Sequence, residues 1–116
     1  YSALTAPGQM VGTMDYLAPE LIRGEQPSPA SDVYAFGCLV YACVAGRPPF
    51  GGRGLLQIGI GHLDEEPTDP CAERSDAPDG FAEAVGFALR KAPAERPATA
   101  TAYARLIAVG ARGGSG

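Results

Sequence analysis

Residues 33–46 place the tightest limit on what this chain can fold into, because they run for fourteen positions without one charged side chain until Arg47. Val33, Phe36, Gly37, Val40, Tyr41 and Val44 recur at helical spacing, and Ala35, Cys38, Leu39, Ala42 and Cys43 between them are also mostly apolar. A helix with no polar face has to be covered by protein on every side. Crossing a bilayer takes about 20 such residues, so the stretch suits a buried helix and not a membrane span. Ser31 fits an N-cap and Asp32 a first-turn partner of the helix dipole. Gly46 ends the helix, and Pro48-Pro49 bars its continuation. The pattern therefore predicts a central buried helix over residues 31–46.

The remaining punctuation places further helices around it. Pro19 suits the first turn of a short helix that Gly24 stops. Residues 25–30, with Pro27 and Pro29, read as a connector. Residues 55–63 form a weaker helix, since Gly59 and Gly61 lower its propensity. A helix over residues 79–91 places Phe81, Val85, Ala88 and Leu89 on one face, with Arg90 and Lys91 at its C-terminal end. Thr99 caps a last helix over residues 98–110, with Tyr103, Leu106 and Ile107 as its apolar stripe. Residues 113–116 have the composition of a flexible linker. There is almost no strand signal and no internal repeat, so the fold class expected is mainly α. At 46% apolar and 19% charged, residues 1–112 suit one small globular unit or part of one. Tyr1 opens the chain in an unpatterned loop, as if it were cut from something longer.

Composition narrows the function classes. A net charge of -4, with the nine basic residues scattered, argues against nucleic acid as a partner. Cys38, Cys43 and Cys71 match neither a disulfide framework nor paired zinc-ligand spacing, and His62 is the one histidine, which argues against a metal site. Gly51-Gly52-Arg53-Gly54 lacks the Lys-Ser/Thr ending and the preceding strand of a phosphate cradle. No signal peptide pattern is present. Taken singly, Glu20 and Arg96 read as surface charges, Thr13 as a turn hydroxyl, Thr5 as a loop hydroxyl and Asp32 as a dipole partner. Gly37, inside an otherwise good helix, costs about 1 kcal/mol relative to alanine, so close backbone packing is expected there.

Four ordered segments add a resemblance. Gly12-Thr13-Met14-Asp15-Tyr16-Leu17-Ala18-Pro19-Glu20 resembles the end of the activation segment of bacterial, eukaryotic-like serine/threonine protein kinases. Ser31-Asp32-Val33-Tyr34-Ala35-Phe36-Gly37 resembles the start of the buried central helix of their large lobe. Gly46-Arg47-Pro48-Pro49-Phe50 is similar to that helix's exit, and Arg96-Pro97 to the arginine motif before the last helix. The implied fold is the helical large lobe (C-lobe) of the protein-kinase fold, with the ATP-binding N-lobe lying upstream.

The resemblance also implies roles. Gly12 and Thr13 would lie in the loop that docks the substrate, the Thr13 hydroxyl bonding a catalytic-loop aspartate and lysine that precede this chain. Glu20 and Arg96 would form the buried ion pair bracing that segment, and Tyr16 and Gly37 would be structural anchors. Asp32 would accept backbone N–H bonds from the catalytic loop. Thr5, and after it Ser2, lie where such kinases autophosphorylate. ATP and Mg2+ would serve the full-length enzyme, with no catalytic, cofactor-binding or metal residue in this stretch, which would be inactive alone.

Protein substrates and the upstream part of the same domain are the partners implied, and not nucleic acid. The domain itself is expected in the cytoplasm, with a downstream membrane anchor left open. Two departures from the pattern stand out: Ala92 where an aspartate usually precedes Pro93, and Tyr34 where many members have tryptophan. The rival expectations are a pseudokinase acting as a scaffold and a free-standing helical interaction module.

Overall fold

A computed structural model describes residues 13–74 and 76–112. Among them are five α-helices, one 3-10 turn and no strand: α1 Pro19–Ile22, α2 Pro29–Ala45, α3 Leu55–Asp64, α4 Phe81–Phe87, the 3-10 turn Pro93–Glu95, and α5 Ala100–Ala111. The glycine and proline punctuation sets most of these limits. Pro19 opens α1, and Gly46 closes α2 in the left-handed region at φ 83°. Thr99 caps α5, its Oγ1 accepting the Ala102 N–H at 3.0 Å.

Two helices differ most from the sequence expectation, each for a physical reason. The central helix begins at Pro29, so its N-cap is Ser28 and not Ser31. Pro29 at the first position needs no N–H partner. Ser28 Oγ accepts from the Ser31 amide at 3.3 Å, and Ser31 Oγ accepts from the Ser28 amide at 2.8 Å, a reciprocal box that places Ser31 one turn into the helix. The helix expected over residues 79–91 is confined to Phe81–Phe87. Gly80, at φ 81°, lies outside it, and beyond Leu89 the carbonyls of Arg90 and Lys91 turn away to meet Arg96. Lys91 does sit at a helix C-terminus, but at that of α3, where its Nζ donates to the Gly61 carbonyl at 3.1 Å. Ala92 stands before the 3-10 turn without a side-chain cap.

Helix α2 is the floor on which the rest is laid. Ala18, Tyr34, Cys38, Tyr41, Val85 and Leu89 form one buried cluster, and Val33, Ala88 and Tyr103 a second beside it. The three tyrosines are the largest fully buried side chains, and each hydroxyl finds a partner: Tyr41 donates to the Thr68 carbonyl at 2.9 Å, Tyr103 to the Val85 carbonyl at 2.9 Å, and Tyr34 meets His62 at 2.6 Å. The cover is not complete among the described residues. Asp32, Leu39 and Cys43, spaced along one side of α2, are exposed, Leu39 by 51%. Helices α4 and α5 and the 3-10 turn pack on the other side.

Glycines let the helices approach one another. A Cβ on Gly37 would lie 2.6 Å from the Ala88 Cβ, and one on Gly61 would lie 2.6 Å from the Phe50 ring. Gly61, which weakens α3 as an isolated helix, thus serves its packing. Gly37→Ala is accordingly expected to destabilise the full-length protein by about 1–3 kcal/mol through overpacking, in spite of the roughly 1 kcal/mol that alanine gains in helix propensity. Urea denaturation would read this as a lower midpoint, and a raised midpoint would mean that α2 and α4 are not in close contact.

Candidate functional site

Residues 13–20 form a short, tightly held segment on top of α2. The Tyr16 N–H donates to the Thr13 carbonyl and the Leu17 N–H to the Met14 carbonyl, both at 3.2 Å, so the segment turns before Ala18. Ala18 is extended (φ -64°, ψ 146°), fully buried and N-terminal to α1, whose second residue is Glu20. Tyr16 is half-buried against the larger core cluster.

At its C-terminal end the segment is fastened by Arg96. Arg96 Nη1 donates to Glu20 Oε2 at 2.7 Å and Nη2 to Glu20 Oε1 at 2.8 Å, a bidentate pair between residues 76 positions apart. The remaining N–H groups reach three backbone carbonyls: Nε to Arg90 at 2.7 Å, Nη1 to Ala30 at 3.0 Å and Nη2 to Lys91 at 3.2 Å. All five donors of the guanidinium are therefore used. Its plane also lies against Tyr34, with Cζ 4.8 Å from the ring centroid. Glu20 and Arg96 are 3% and 5% exposed, so removing either partner would strand a buried charge, at a typical loss of about 3–5 kcal/mol. Burial alone would raise the Glu20 carboxyl, but the hydrogen bonds from Arg96 and from backbone, with the positive charges of Arg96 and Arg23, bring it below its ordinary range.

At its N-terminal end the segment is fastened by His62 of α3, which is fully buried. His62 Nε2 lies 2.8 Å from the Met14 carbonyl, an atom that can only accept, so Nε2 carries the proton and Nδ1 accepts from the Tyr34 hydroxyl at 2.6 Å. The rings of Tyr34 and Phe50 stand edge-on to the imidazole, with centroids at 5.4 and 5.1 Å. Burial lowers the His62 pKa from its ordinary 6.5 to about 4, with the Lys91 charge acting in the same sense against the opposing hydrogen bonds to Met14 and Asp15 backbone. Asp15 is drawn inward as well. One of its carboxylate oxygens is buried without a hydrogen-bond partner among the described residues, and burial raises its pKa.

The structure thus brings Glu20 and Arg96 together, packs Tyr16 against the larger core cluster and places Gly37 against Ala88 at the end of α4. Thr13 is exposed at the open end of the segment, and Asp32 is exposed in the first turn of α2. Gly12, Thr5, Ser2 and residues 113–116 lie outside the described residues. His62 and the Tyr34 hydroxyl make the contacts behind this segment that sequence reasoning missed. The available signal was a lone histidine four positions after Ile58, on the inward face of α3. The arrangement holds a stretch of backbone at two points; its buried thiol, Cys38, has its pKa pushed up by burial, as suits an inert side chain.

Comparison with known proteins places this geometry in a family. Residues 2–105 match the protein kinase domain family. The chain is 40% identical over 105 residues to a serine/threonine-protein kinase, drp72, of Corynebacterium efficiens, which covers 90% of the chain. It is 42% identical over 110 residues, 95% of the chain, to the serine/threonine-protein kinase PkaA of Streptomyces coelicolor. To PknA of Mycobacterium tuberculosis it is 37% identical over 105 residues, 90% of the chain. The chain spans 19%, 19% and 24% of the length of these three relatives.

A pH dependence follows from the two fastenings. The folded His62 resists a proton that the unfolded chain accepts, so its contribution is complete above about pH 6.5 and is lost as pH falls toward 4, by about 3 kcal/mol. Glu20 acts at lower pH, its contribution being present above the ordinary 4.5 and lost as pH falls through the folded value. Denaturation of the full-length protein at pH 7 and pH 4.5 is expected to show the loss, and His62→Gln is expected to remove most of that slope. A slope that the substitution leaves unaltered would contradict a buried neutral imidazole.

Proposed function

The chain belongs to the protein kinase domain family, and from that premise we propose that its protein is a serine/threonine kinase, moving the γ-phosphoryl group of ATP onto hydroxyls of other proteins. The observation that carries the reading is the buried bidentate pair of Arg96 and Glu20, which fixes the segment starting at Thr13 to the helical floor. Phosphoryl transfer asks little covalent chemistry of the protein and much positioning, so a loop beside the acceptor hydroxyl has to be rigid. In this reading Gly12 and Thr13 lie in that loop. The Thr13 hydroxyl would bond the catalytic aspartate and lysine of the same domain, and Asp32 would hold the catalytic loop by its backbone.

Two further features support a larger domain around this chain. The side of α2 bearing Asp32, Leu39 and Cys43 is exposed, and Leu39 and Cys43 there are apolar, as suits a helix with further protein on that side. The Asp15 oxygen left without a partner is also explained if the remainder of the domain supplies one.

Among the described residues the side chains assemble no site that fits ATP or Mg2+. No group of three His, Cys, Asp or Glu side chains could hold a metal ion among the described residues. Arg53, the cation of the turn at residues 51–54, is committed to Glu65 at 2.6 Å and to the Phe50 ring at 5.3 Å. Nucleotide and metal would be held by other parts of the kinase domain. No helix among the described residues is long and apolar enough to cross a membrane.

The test is transfer of the terminal phosphate of ATP by the full-length protein to serine or threonine in a protein acceptor. Thr13→Ala is expected to lower the rate by about a hundredfold or more through misplaced groups while leaving the melting temperature unchanged. The 116 residues alone are expected to transfer nothing. Full activity of the Thr13 variant would contradict the role given to Thr13, and an inactive wild-type protein would turn the reading toward a scaffold.

A further inference from the structure

The docking segment is held at both ends, and only one of the two fastenings is explained by the ion pair. Arg96 secures Glu20, which lies beyond the turn and six positions from Met14. The backbone next to Thr13 is held by His62, whose Nε2–H donates to the Met14 carbonyl at 2.8 Å. That carbonyl also accepts the Leu17 N–H at 3.2 Å, so one oxygen joins the turn of the segment to α3. A backbone amide and a buried imidazole together use both of its lone pairs.

We propose that His62 is a positioning residue for phosphoacceptor binding: its neutral imidazole, set in one tautomer by the Tyr34 hydroxyl, fixes the height of the docking-loop backbone at Met14. The inference rests on the reading of Gly12 and Thr13 as part of the acceptor-docking loop. Three observations carry it. The imidazole is fully buried and both ring nitrogens are engaged, Nδ1 with Tyr34 and Nε2 with Met14. The ring has no room to turn, since Phe50 and Tyr34 flank it edge-on and Gly61 of the same helix lies against the Phe50 ring. Helix α3 is in turn pinned by Lys91, which donates to the Gly61 carbonyl at 3.1 Å and lies 5.2 Å from the Phe50 centroid.

Tyr34 ties the two fastenings together. Its ring packs on the Arg96 guanidinium, while its hydroxyl donates to His62. A tryptophan at this position could not meet Nδ1 in the same way, because its single polar group is an N–H with a different reach. The lone histidine and the tyrosine that departs from the more familiar residue therefore act as a pair. Loss of the Nε2–H would leave the Met14 carbonyl short of a donor and free the loop at the residue beside Thr13, where acceptor alignment matters most.

Steady-state kinetics of the full-length protein test this, with ATP and a synthetic serine- or threonine-containing peptide that the wild-type protein phosphorylates. His62→Phe keeps a flat ring but loses both polar contacts. It is expected to raise the KM for peptide about tenfold, the scale of one lost buried hydrogen bond, with the KM for ATP unchanged. His62→Gln places an amide N–H where Nε2 stood and is expected to restore most of the peptide KM. Tyr34→Phe, which removes only the hydroxyl, is expected to fall between them and keeps the proposal open to test if His62→Phe does not fold. A fall in kcat alone, with both KM values unchanged, would report lost active enzyme or lost transition-state alignment rather than lost acceptor binding, and would overturn the proposal. So would a peptide KM that neither Tyr34→Phe nor His62→Gln distinguishes from His62→Phe, or one that none of the three alters. A wild-type protein that transfers no phosphate would instead remove the kinase reading itself.

Discussion

The Arg96 guanidinium is the interaction on which the rest of the arrangement depends. Its five donors reach Glu20 of α1, the Ala30 carbonyl at the start of α2, and the Arg90 and Lys91 carbonyls after α4. These groups come from three separate parts of the chain, and no shorter or more flexible cation could engage them at once, because lysine has three donors and no planar fork. A buried ion pair is a poor source of net stability, but it is expensive to break on one side. Here that asymmetry fixes the place of α1 on α2 and ends α4 early.

The geometry has one consequence for function. Positioning chemistry needs a loop whose backbone stays still, and a surface loop is usually the most mobile part of a domain. Residues 14–20 avoid this by being secured at both ends from below. Arg96 holds the far end, His62 the near end, and Tyr34 touches both. In the proposed reading, the open side of α2 and the exposed Thr13 would meet the rest of a kinase domain.

Much of this was legible in the sequence, and for local reasons. Proline and glycine set the limits of α1 and α2, and Thr99 the start of α5, because each acts on its own backbone. The start of α2 was misplaced by three residues because Ser28 and Ser31 both suit a cap, and Pro29 decides between them only when read as a first-turn residue. The end of α4 was not legible, since it is set by a demand from Arg96 and not by residues 88–91 themselves. The pairing of Glu20 with Arg96 came from resemblance, as no periodicity links residues 76 positions apart. His62 escaped altogether, because a side chain that bonds a distant carbonyl leaves no spacing to read. Gly59 and Gly61 were read as weaknesses of α3, whereas Gly61 makes room for the Phe50 ring.

The central claim is that Glu20 and Arg96 act as one unit in joining residues 13–20 to the helical floor. A double-mutant cycle in the full-length protein, with Glu20→Gln, Arg96→Met and both together, measures this through urea denaturation. The account predicts strong coupling, about 2 kcal/mol or more, with the double variant no less stable than the weaker single variant. Losses that simply add would contradict it.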